Sequence, residues 1–127
     1  MSDQYLRIDT FNNLFFDFIN DLMTLFPNDP TLLLCKTGAQ GSLLINNKFI
    51  VTEFKTAVLP YSEHILKKNE DYFLHENFKE NFGNDHFISN EINRIVNIWK
   101  DPNTSNDTKK MIWIYMIKLV KLSKTIN

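Results

Sequence analysis

Ser105-Asn-Asp-Thr-Lys-Lys-Met-Ile-Trp-Ile-Tyr-Met-Ile-Lys-Leu-Val-Lys-Leu122 is the stretch whose reading decides the fold. From Met111 to Leu122 it is apolar on nearly every side, with only Lys118 and Lys121 interrupting. A helix that is hydrophobic almost all round has to be enclosed by several neighbours, whereas a one-sided stripe needs only one. The spacing therefore predicts a central C-terminal helix in an all-α bundle. Ser105 is its N-cap, Asp107 complements the positive dipole end, and Lys118, Lys121 and Lys124 lie toward the negative end. Trp113 on this helix and Trp99 before it are expected in the core.

Working outward, a helix over about Asp85 to Trp99 would bury Ile88, Ile92, Ile95, Val96 and Trp99, and Asp101-Pro102-Asn103 closes it. At the other end of the chain, Phe11, Leu14, Phe15, Phe18, Ile19, Leu22, Met23, Leu25 and Phe26 keep the spacing of one helical face. This first helix is capped by Asp9 or Thr10, follows a lead-in over residues 1–9, and ends at Pro27. Phe16 falls off its stripe. In Pro27-Asn28-Asp29-Pro30, Asp29 reads as an N-cap and Pro30 as the first residue of a second helix, where its missing N–H is harmless. That helix runs through Leu34 and toward Leu44, with a break plausible at Gly38 because Gly38 and Gly41 each weaken it. Residues 42–54 read either as a hairpin about Asn46-Asn47 or as a third helix. The helix is favoured, capped by Asn46 or Asn47 and burying Ile50, Phe54, Ala57 and Val58 before Pro60, because a lone hairpin is marginal. Short helical pieces follow from Tyr61 to Leu74, with Asn69 as a cap. The expectation is one domain over 1–127, a compact bundle of about four main helices with short helical connectors.

Composition narrows the function. A 43% hydrophobic fraction with eleven Phe is ample for a single core, and a formal charge of -1 commits the chain to neither nucleic acid nor an anionic membrane. Residues 101–127 carry five lysines against two aspartates, so any basic face must come from the C-terminal helix. A lone cysteine, Cys35, inside Leu32-Leu33-Leu34-Cys35 reads as a buried small hydrophobe in a reducing compartment. No apolar run approaches the ~20 residues of a membrane span, and the N-terminus lacks the features of a secretion signal. An intracellular chain that is not secreted and makes no membrane contact is expected.

Three stretches together carry a resemblance: Phe11-Asn-Asn-Leu-Phe-Phe-Asp-Phe-Ile-Asn-Asp-Leu-Met-Thr-Leu-Phe-Pro27, Val58-Leu-Pro-Tyr-Ser-Glu-His-Ile-Leu-Lys-Lys-Asn-Glu-Asp-Tyr-Phe-Leu74, and Ile98-Trp99-Lys100 with Lys110-Met-Ile-Trp-Ile-Tyr115. In order and spacing they resemble a group of small, mostly uncharacterised helical proteins of large nucleocytoplasmic DNA viruses. The resemblance implies a viral protein acting in the infected-cell cytoplasm or in the virion. It brings no catalytic residues, and it fits a chain with sixteen asparagines.

The candidate residues for chemistry have simpler readings. His64, His75 and His86, with Glu63, Asp71, Glu76 and Asp85, lack the close spacing of a zinc site and a second cysteine, so no metal is expected. Glu70 and Asp71 read as helix-dipole partners rather than a catalytic pair. With three glycines there is no phosphate-cradling loop and no nucleophile elbow. No cofactor is implied, and the chain reads as non-enzymatic. Lys109, Lys110, Lys118, Lys121 and Lys124, with Lys67 and Lys68, could contact phosphates while Tyr72 or Phe73 stacks on a base, which makes a nucleic-acid accessory the alternative. Arginine, the usual base reader, occurs only as Arg7 and Arg94. Phe16, Phe78, Phe82 and Phe87, with Tyr5, have no slot on one helical stripe. They are the expected anchors for a protein partner, viral or host, or for a second copy of the chain.

Overall fold

A computed structural model describes the backbone of residues 2–75 and 87–127 and the side chains of 3–74 and 91–127. Described residues form helices and turns, with no strand, so the chain is all-α. The first helix, α1 (Ser2–Leu25), begins well before Asp9 and Thr10, so neither is its cap. The expected lead-in is helical because it has partners. Gln4 Nε2 and Arg7 donate to the Thr125 carbonyl at 2.9 and 3.0 Å, and the Asn127 N–H donates to Gln4 Oε1 at 3.0 Å. Ile8 is buried one turn on. Below it Phe11, Phe15, Phe18, Ile19 and Leu22 form the buried stripe that the spacing predicts.

In the connection that follows, Asp29 Oδ1 accepts from the N–H groups of Thr31 and Leu32 at 2.9 and 3.3 Å, capping α2 (Pro30–Ile45). The helix passes Gly38 without a break. Leu32, Cys35 and Ala39 are buried on one side of it, and burial on that side outweighs roughly 1 kcal/mol of unfavourable propensity per glycine. The hairpin alternative for 42–54 is replaced by a helix, α3 (Phe49–Val58), which buries Ile50, Val51, Phe54, Ala57 and Val58. Its N-cap residue is Lys48, with no side-chain cap bond, rather than Asn46 or Asn47. Asn46 Oδ1 accepts instead from the Lys48 N–H at 3.0 Å in the turn, while the Asn47 carbonyl accepts from Asn12 Nδ2 at 2.9 Å. That last bond ties the end of α2 to α1, so the two helices run antiparallel.

Pro60 sits in a 3-10 turn (Leu59–Tyr61) leading to α4 (Ser62–Leu66) and α5 (Glu70–His75). Between them Lys68 takes a positive φ of 52°, a left-handed conformation that strains a side chain with a Cβ. The next described helix is α6 (Phe87–Lys100), and the expected start at Asp85 lies outside the described residues. The last, α7 (Asn106–Ser123), has Ser105 Oγ accepting from the Thr108 N–H at 3.1 Å, as predicted.

The C-terminal helix α7 packs against α1, α3, α4 and α6. Its Ile112, Trp113, Met116, Leu119 and Val120 are buried, and a solvent stripe of Lys110, Ile114, Lys118 and Lys121 remains. Aromatic rings join the layers edge to face: Phe11 on Phe54 at 5.2 Å, Trp99 on Trp113 at 5.6 Å and Phe73 on Trp113 at 5.7 Å. Phe18 stacks on Tyr115 at 4.7 Å. Both tryptophans are in the core, as the spacing predicts. The tail closes over α1 and α3. Ile126 is buried, Lys55 Nζ donates to its carbonyl, and Lys48 Nζ donates to that of Asn127 at 2.8 Å.

Candidate interaction surface

The outer side of α2 differs from the solvent side of α1. Exposed residues of α1 include Asp3, Arg7, Asp9, Asp17 and Asp21, the usual composition of a solvated face. On α2 the exposed residues include Leu33 (54% exposed), Leu34 (71%), Leu44 (90%) and Ile45 (89%), with Thr37, Gly38 and Gly41 between them. At about 100° per residue these share one side of the helix. Lys36, half-buried, is the single charge in the sixteen residues. Four large aliphatic side chains leave on the order of 500 Å² of apolar surface, at the upper end of the largest patch on a typical monomer.

Gly41 adds to this. A Cβ built there meets nothing within 4 Å, so internal packing of the chain does not require glycine. In the interior of an exposed helix glycine is about 1 kcal/mol worse than alanine. The position is explained if another backbone approaches it from outside.

Polar groups behind the face hold α2 in place. Asp29, at its N-terminus, accepts from Arg94 Nε of α6 at 2.6 Å, and the guanidinium also pairs with the same carboxylate oxygen. Further along, Cys35 lies beside Glu91 of α6, both side chains being buried. Burial pushes the Glu91 carboxyl up to about 7, with Asp29 adding to the rise and Cys35 opposing it. Burial and then the neighbouring Glu91 also push the Cys35 thiol up, so it stays protonated and unreactive. One Glu91 oxygen finds no partner among the described residues.

Elsewhere the expected sites resolve as follows. Phe16 is half-buried, resting against the core and edge to face on Phe15 at 5.9 Å. Tyr5 is exposed. Phe78 and Phe82 lie outside the described residues, as does the side chain of Phe87, the first residue of α6. Lys110, Lys118 and Lys121 are exposed on α7 and Lys124 just past its end, and Lys109 is half-buried. Beside them a groove is lined by Asp17, Asp107, Met111 and Tyr115. The Tyr115 hydroxyl donates to Asp21 and is pushed up to about 12 by burial, then by Asp21 and Asp17. His64 stacks on Tyr72 at 3.7 Å and takes a hydrogen bond with Asn69 at 3.1 Å. Among the described residues no three His, Cys, Asp or Glu side chains gather as metal ligands, and no helix is long and apolar enough to cross a membrane. An apolar cavity of about 50 Å³ lies between Val58, Ile65, Phe73, Ile92, Trp99 and Trp113. The two indole N–H groups find no acceptor among the described residues.

Sequence reasoning missed both α2 features, although each leaves a signal. Leu32, Leu33, Leu34, Leu43, Leu44 and Ile45 are more apolar residues than one stripe of α2 can hold, and Lys36 is its single charge. Glu91 precedes Ile95 by four residues and Ile98 by seven, which puts a carboxylate on the buried stripe of α6. No protein-family model, curated protein or solved structure matches the chain.

Proposed function

We propose that the protein is a non-enzymatic protein–protein interaction module that docks through the outer face of α2. The observation that carries this is the exposure of Leu33, Leu34, Leu44 and Ile45 on one uncharged helix face. An amphipathic helix with such a face is a common peptide and protein recognition element. The links from Asp29 and Cys35 to α6 keep the face preorganised, which reduces the ordering entropy lost on binding. The resemblance to helical proteins of large DNA viruses supports a viral setting, with a viral or host protein, or the chain itself, as partner.

A nucleic-acid accessory role through Lys110, Lys118, Lys121 and Lys124 ranks second, because Asp17 and Asp107 share the groove beside them and would repel a phosphate backbone. The test is a photo-crosslinker, benzoylphenylalanine, introduced at position 34 and in a second protein at position 118. Protein adducts at 34 well above those at 118 are expected. Equal yields at the two positions would contradict the reading.

A further inference from the structure

We propose that the partner of this face is a second copy of the chain, docked antiparallel about a two-fold axis that passes between the two α2 helices at their midpoint. The inference rests on reading α2 as a docking face and adds the identity of the occupant. A two-fold interface requires a patch complementary to itself, and the α2 pattern has that property. Reversing the helix about position 39 exchanges Leu33 with Ile45, Leu34 with Leu44 and Thr37 with Gly41. Each large aliphatic residue then meets a large aliphatic residue, and the crossing point falls on a threonine and a glycine.

Rotation agrees with register. At about 100° per residue the six side chains occupy an arc of about 120°, and the same reversal returns that arc to itself. Gly41, whose Cβ position is open to solvent, lies where two backbones would come closest. Area agrees as well. Two faces of on the order of 500 Å² bury about 1,000 Å² together, the threshold for a specific interface. Charge points the same way. A lipid surface would favour basic residues flanking the apolar face, whereas Lys36 is the only charge on α2.

Sedimentation equilibrium from micromolar to sub-millimolar concentration reads the assembly. Expected are twice the chain mass for the wild type and the chain mass for Leu44→Glu, with unchanged helical circular dichroism because Leu44 is almost fully exposed. Disulfide trapping reads the orientation. In the antiparallel pair, positions 34 and 44′ adjoin, whereas 34 and 34′ are about 15 Å apart along the axis, beyond the roughly 7 Å that a disulfide spans between Cα atoms. An oxidised mixture of Leu34→Cys and Leu44→Cys should crosslink, and neither should crosslink alone. Buried Cys35 stays silent.

Rapid crosslinking of Leu34→Cys with itself would overturn the antiparallel arrangement. A wild type at the chain mass throughout would overturn the second copy as occupant. If that monomer still gave adducts with another protein at position 34, the docking reading would survive, and without adducts both would fall. A monomer that binds phosphatidylcholine vesicles, with binding lost in Leu44→Glu, would replace the second copy by a lipid surface.

Discussion

Replacing Glu91 by glutamine should change how stability depends on pH, and its surroundings fix both sign and size. Only 4% of Glu91 is exposed. Burial, the leading cause, raises its carboxyl from 4.5 to about 7. Between those values the folded protein holds a proton that the unfolded chain has released, so stability falls as pH rises. The contribution is fully present below about pH 4.5 and is lost through pH 7. At about 1.36 kcal/mol per pKa unit, the interval corresponds to about 3 kcal/mol. Glutamine stays neutral and removes this slope. Urea unfolding followed by Trp99 and Trp113 fluorescence should therefore give a wild type and a Glu91→Gln variant of similar stability at about pH 4.5, with the variant more stable by up to about 3 kcal/mol at about pH 8. Taking the difference between the two proteins cancels the titration of groups they share. Parallel pH profiles, or a variant that is less stable at about pH 8, would refute the reasoning.

Three further changes probe the scaffold. Trp113→Ala removes a buried ring beside an existing cavity and should destabilise by about 3–5 kcal/mol, read as a fall in Tm or loss of the cooperative transition. Ile126→Ala empties the buried tail position against α1 and α3 and should cost about 2–4 kcal/mol, measured by urea midpoint; a neutral result would mean that the tail does not close the core. Lys68→Gly relieves the positive φ between α4 and α5 and should stabilise by about 0.5–1 kcal/mol, seen as a rise in Tm of a few degrees.

Elements with a strong local signal were legible. Ser105 and Asp29 carry caps that depend on a side-chain oxygen and the next three residues, and both form as expected. The stripe from Phe11 to Leu22 depends only on helical period. What escaped depends on distant partners. Residues 2–10 are helical because Gln4 and Arg7 donate to the Thr125 carbonyl and the Asn127 N–H donates to Gln4, all from more than a hundred positions away, which no local pattern announces. Gly38 does not break α2 because Leu32, Cys35 and Ala39 are clamped by tertiary neighbours. Of the aromatic residues expected as anchors, Tyr5 is exposed and Phe16 half-buried, while Phe78, Phe82 and the Phe87 side chain lie outside the described residues. The exposed face of α2 is aliphatic. Leu33 and Leu34 stand beside buried Leu32 and Cys35 in one run, and the run by itself does not say which residues face outward.

Side-chain oxidation footprinting tests the docking face most directly, because it reads Leu33, Leu34, Leu44 and Ile45 in the folded protein as concentration rises. Ile114, 50% exposed on α7, is the internal reference. The account predicts that the four α2 residues lose reactivity as the protein associates while Ile114 does not. Leu44 and Ile45 remaining the most reactive of the set at every concentration, in proportion to their exposure of 90% and 89%, would contradict it.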